Sequence, residues 1–94
     1  MTKAEMISEV ALEIQRGFPG SEVVLDIHGI TNAYIIFFEG AELIKVDDVG
    51  VYFLFDLSQK SPIKWSHVLE GGPESVARQV HKELKRSGFR VESR

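Results

Sequence analysis

Only two residues, Glu39-Gly40, separate the apolar run Tyr34-Ile35-Ile36-Phe37-Phe38 from the next β-rich run, Ala41–Val46. So short a connection joins antiparallel strands, because a parallel crossover needs about a dozen residues or more. Turn-forming composition recurs at Gly29–Asn32 and Asp47–Gly50, and the runs between the turns read as strands at Glu22–His28, Ala33–Phe38, Ala41–Val46 and Val51–Leu57. Consecutive strands with short links predict a meander.

Register follows from the turns. A two-residue loop at Glu39-Gly40 sets Phe38 opposite Ala41, Ile36 opposite Leu43 and Tyr34 opposite Lys45. A four-residue loop at Asp47–Gly50 sets Val46 opposite Val51, Ile44 opposite Phe53 and Leu43 opposite Leu54. Side chains alternate with period two, so one predicted face holds Ile35, Phe37, Ile44, Val46, Val51, Phe53 and Phe55. The other holds Tyr34, Ile36, Phe38, Leu43, Tyr52 and Leu54, with Lys45 and Asp56. The parity of the first strand stays open, since it depends on the loop before Ala33.

Helices bracket the strands. From Lys3 to Arg16, Ala4, Ile7, Val10, Ala11 and Ile14 recur at three- and four-residue steps and form one stripe. Thr2 and Glu5 have capping-box spacing, while Gly17, Phe18 and Pro19 read as a stop with Gly17 in the left-handed position. A second helix runs from about Pro73 to Ser87, with Val76, Ala77, Val80 and Leu84 as its stripe and Gly88 after its end. The connection Ser58–Gly72 has room for a short fifth strand at Ile63–Leu69. Residues 1–94 thus read as a single α+β domain: a two-layer, four- or five-stranded antiparallel meander with both terminal helices on one face.

Two helices of this length cover one face of a four-stranded sheet, yet both predicted faces are apolar. A wet face on an antiparallel sheet shows polar alternation, and an uncovered apolar patch of this size marks an interaction site. A helix on each face, the Ser58–Gly72 segment, or another subunit could supply the cover. Dimerisation through Tyr34, Ile36, Phe38, Leu43, Tyr52 and Leu54 is therefore expected.

Composition bounds the chemistry. At 44% apolar and 27% charged, the chain has a globular balance rather than a disordered one. The absence of cysteine excludes disulfides and thiolate metal sites. The first ten residues lack the apolar core of a signal peptide, and no run approaches the ~20 apolar residues of a membrane helix. A cytoplasmic location is expected.

No residue pattern points to catalysis. Asp26 and His28 share a face of the first strand and could ligate a metal, but a site needs three or four ligands, and no spacing supplies the rest. Asp47-Asp48 lacks the alternating oxygen ligands of a calcium loop. None of the serines lies in a GxSxG elbow. The segment Leu69-Glu-Gly-Gly-Pro-Glu-Ser75 precedes a helix without the length or lysine of a phosphate loop. His67 adds no partner, and His81 borders the second helix's apolar stripe, where a partly buried structural histidine is ordinary. No cofactor is expected, and an enzyme is disfavoured.

Charge supplies the competing reading. Residues 1–59 carry three Lys/Arg against ten acidic residues, net −7, and residues 60–94 carry eight against four, net +4. Arg78, Lys82, Lys85 and Arg86 fall within one arc of about 100° on the second helix, and Trp65 precedes it. Such a stripe can neutralise phosphates while Trp65 stacks on a base, or it can meet an acidic protein. Two expectations therefore stand: a non-enzymatic interaction module, homodimeric or part of a larger assembly, and alternatively a nucleic-acid-binding protein.

Overall fold

The computed structural model describes residues 3–26, 33–55, 63–64 and 72–92. Its elements are α1 (Lys3–Arg16), β1 (Ser21–Asp26), β2 (Ala33–Phe38), β3 (Ala41–Val46), β4 (Gly50–Phe53), β5 (Ile63–Lys64) and α2 (Gly72–Arg86). The strands form one antiparallel sheet in the order β1-β2-β3-β4-β5. The α+β meander with terminal helices is therefore present, and its fifth strand is a two-residue pairing against Gly50 and Val51. Thr2, Ile27, His28, Trp65 and His67 lie outside the described residues.

Both helices pack on the same side of the sheet. Ile7, Val10, Ala11 and Ile14 of α1 and Val76, Ala77, Val80 and Leu84 of α2 share one buried cluster with Ile36, Ile44, Val46, Val51 and Phe53. Each fully buried aliphatic side chain removed from water contributes about 1.5–3 kcal/mol, so this layer carries the fold. Ala4, expected in the α1 stripe, is exposed.

One irregularity decides which residues face the helices. Phe38 pairs with Ala41 and Phe37 with Glu42, but Ile36 pairs with Ile44 and Tyr34 with Val46. Leu43 is the extra residue of a β-bulge, and it and Ile44 are both buried, at 7% and 0% exposure. The extra residue inverts β3 and β4 relative to β2. Tyr34, Ile36 and Phe38 thus join Ile44, Val46, Val51 and Phe53 on the helix-covered face, and Ile35 and Phe37 move to the outer face. The expected pairs Ile36–Leu43 and Tyr34–Lys45 do not form. Pairs β1–β2 and β3–β4 are regular, so Val23 and Leu25 lie on the helix-covered face with Ile36 and Tyr34.

The helix ends also differ from expectation at one point. Gly17 does not adopt the left-handed conformation. A Cβ at Gly17 would lie 2.4 Å from Cε1 of His81, so glycine is required there by the approach of a ring from α2. The α2 terminus follows the expected pattern: Gly88 has φ 94°, its N–H donates to Lys85 O at 3.1 Å, and Phe89 N–H donates to Leu84 O at 3.0 Å.

After α2 the chain returns to the end of α1. Glu92 N–H donates to Gly17 O at 2.8 Å. Phe89 meets Phe18, Phe38 and Phe55 edge-on, with ring centroids 5.8, 5.8 and 5.2 Å away. Phe18 stacks on Phe38 at 4.9 Å. No helix among the described residues is long and apolar enough to cross a membrane.

Candidate interaction surface

The outer sheet face is built from the alternate residues of β1 to β4. Val24, Ile35, Lys45 and Tyr52 form one cross-strand row, and Glu22, Phe37 and Glu42 form the next, with Leu54 beyond β4. Val24 is 46% exposed and Leu54 39%, Phe37 and Tyr52 are half-buried, and Ile35 is buried. Ile35 stands outside the cluster formed with the helices. Apolar side chains share this face with Glu22, Glu42 and Lys45, and Lys45 stands between Ile35 and Tyr52 in its row.

The six residues expected to form one contact face are divided between both sides of the sheet. Ile36 and Leu43 are in the core, Tyr34 and Phe38 pack against it, and Tyr52 and Leu54 belong to the outer face. The bulge at Leu43 is the cause. Its signal is present in Ala41-Glu-Leu-Ile-Lys-Val46, where adjacent Leu43 and Ile44 interrupt an otherwise strict polar–apolar alternation. Reading that interruption as a phase slip would have placed Ile35 and Phe37, rather than Ile36 and Phe38, on the outer side.

Asp47 organises the β3–β4 turn. Its Oδ1 accepts from Val49 N–H at 2.9 Å and Gly50 N–H at 3.2 Å, and its own N–H donates to Gly50 O at 3.0 Å. Nearby, burial and the Asp47 and Asp48 carboxylates raise the Tyr52 phenol above its ordinary value of 10.0. Asp47 is thus a turn residue. No group of three or more His, Asp or Glu among the described residues is arranged to hold a metal.

An open cleft of about 710 Å³ lies between the end of α1 and the start of α2. Glu13, Arg16, Glu74, Arg78, His81 and Glu92 line it. His81 is 7% exposed, and its Nε2–H donates to Ile14 O at 3.0 Å. That carbonyl belongs to the last turn of α1, where no helical donor follows, so the imidazole serves as a cap supplied by the neighbouring helix. Glu13 pairs with Arg16, and the cleft mixes both signs of charge, with no hydroxyl nucleophile among the described residues that line it.

The basic face of α2 is exposed at Arg78, Lys82, Lys85 and Arg86. Arg86 pairs with Glu83 at 3.1 Å, and Arg78 shares the cleft with Glu74. Carboxylates therefore interrupt the stripe on the surface where phosphates would bind. Among the features expected of a nucleic-acid surface, the stacking residue Trp65 lies outside the described residues.

The chain defines a class only by its architecture, an antiparallel meander with two helices on one face. Compared with known proteins it matches no family model, and neither the curated proteins nor the solved structures contain a match.

Proposed function

We propose that the chain is a small non-enzymatic interaction module that self-associates through its outer sheet face. The observation that carries this reading is the division of labour in the sheet: both helices cover one side, while Val24, Phe37, Tyr52 and Leu54 lie on the other with two of them substantially exposed. Apolar side chains gathered on a sheet face gain roughly 25 cal/mol per Å² when a partner removes them from water, and a two-fold pairing of identical faces is the commonest way to do so. The nucleic-acid reading draws support from the exposed cations of α2, but Glu74 and Glu83 lie among them.

Light scattering after gel filtration tests the proposal. The expected mass is a multiple of 10.6 kDa, unchanged between low and high salt. Leu54→Asp should return it to that of a single chain while helix and strand content, read by circular dichroism, stay constant. A wild-type protein that remains monomeric at high micromolar concentration sinks the reading, and so does an assembly that dissolves with salt.

A further inference from the structure

The two edges of the sheet are built differently. Among the described residues, one ends in β5, Ile63–Lys64, two residues long, and very short edge strands are a standard protection against unwanted pairing. The other edge is β1, Ser21-Glu-Val-Val-Leu-Asp26, which pairs with β2 along all six residues without a bulge. It contains no lysine, no proline and no glycine. Val24 and Leu25 are 46% and 44% exposed, one on each side of the sheet.

The direction of the free backbone groups follows from the β2–β3 turn. Glu39 and Gly40 both have positive φ, 52° and 80°, as in a two-residue turn whose flanking residues Phe38 and Ala41 are hydrogen-bonded to each other. Groups alternate along a strand, so β2 directs Phe38, Ile36 and Tyr34 toward β3, and Phe37, Ile35 and Ala33 toward β1. On β1 the partners Glu22, Val24 and Asp26 bond back, and Ser21, Val23 and Leu25 point away. The first of these is already occupied: Ser21 N–H donates to Phe18 O at 3.2 Å, and Ser21 O accepts from Gln15 Nε2 at 3.4 Å. Val23 and Leu25 have no outward partner among the described residues.

We infer that the β1 edge accepts an extended segment of a partner protein, added as a further strand beside Val23–Leu25 and carrying basic residues on the outer side. Unpaired N–H and C=O groups at strand spacing select an extended backbone. Charge selects its side chains. Glu22 is exposed, Asp26 is on the same face, β1 has no cation, and residues 1–59 carry net −7. A second copy of β1 fits less well, because a two-fold axis through Val24 sets Glu22 against Asp26 of its mate, and like charges directly opposite destabilise a sheet. The matching strand has lysine or arginine opposite Glu22 and Asp26 and apolar residues opposite Val23 and Leu25.

The test uses the full chain and an acetylated, amidated peptide of sequence Thr-Lys-Val-Thr-Val-Lys-Thr, followed by amide NMR. Binding should shift and protect the amides of Val23 and Leu25, which have no outward partner among the described residues, and leave those of Glu22 and Val24 protected throughout. Leu25→Pro, which removes one outward N–H, should abolish it. Glu22→Lys should weaken binding about tenfold, and a peptide with glutamate replacing lysine should recover affinity for that variant. Leu54→Asp should leave peptide binding intact even where it breaks self-association, which separates this inference from the outer-face proposal. Absence of shifts at millimolar peptide, or indifference to Leu25→Pro, overturns it. Concentration-dependent protection of Val23 and Leu25 without peptide also overturns it, by giving the edge to a second copy.

Discussion

At the scale of single residues, two glycines at helix ends have opposite reasons to be glycine. Gly88 adopts φ 94° with open space around its Cα, so its requirement is conformational. Gly17 has an ordinary φ and no room, because His81 lies on it. Gly17→Ala should therefore push the ring away and release its hydrogen bond to Ile14 O, destabilising the fold by about 1–3 kcal/mol. In a His81→Ala background the same change should be neutral or stabilising, since Gly→Ala at a compatible φ contributes about 0.4–1 kcal/mol through the unfolded chain. Urea unfolding of the four proteins in this cycle checks the coupling, and equal costs in both backgrounds would break the proposed contact. A helix-stop signal in the sequence is the same for both glycines. The distinction needs residue 81 beside residue 17, which only packing supplies.

At the scale of elements, the β3–β4 hairpin joins turn chemistry to a titration. Asp47 is held by the N–H groups of Val49 and Gly50, which keeps its carboxylate, and that of Asp48, close to Tyr52. Burial first, and these two charges next, raise the Tyr52 pKa in the folded chain above its ordinary 10.0. The folded state then retains the phenol proton where the unfolded state loses it. The resulting stability is complete below about pH 10 and is lost as pH rises through the folded value. Tyr52→Phe should remove this component, so its stability should decline less steeply than wild type above pH 10 in alkaline urea titrations. Parallel declines would show that Tyr52 does not contribute. The register of this hairpin was legible, with Val46 opposite Val51 and Ile44 opposite Phe53. The β2–β3 register was legible only next to its turn, because a five-residue apolar run carries no period-two marker of its own.

For the molecule as a whole, closure depends on the segment after α2. Phe89 touches aromatic rings from the α1–β1 turn, from β2 and from the segment just after β4, and Glu92 N–H donates to Gly17 O. Such edge-on pairs add about 0.5–1.5 kcal/mol beyond burial. Phe89→Ala should cost about 2–3 kcal/mol in chemical denaturation while secondary structure persists, given the partial burial of the ring. A cost below about 0.5 kcal/mol would mark the segment as an appendage.

Local spacing by itself determined the helices, the strand order and the antiparallel sense, because hydrophobic period and loop length act over a few residues of chain. It also placed the charge asymmetry and identified an apolar surplus on the sheet. Only the tertiary structure decided which side chains make up that surplus. One inserted residue at Leu43 inverts the pairing of everything beyond it, so Ile36 is core and Val24, Phe37 and Leu54 are surface. Likewise, the cap of His81 on α1 and the ring contacts of Phe89 join residues remote in sequence. Their partners are chosen by packing, and no local period encodes them.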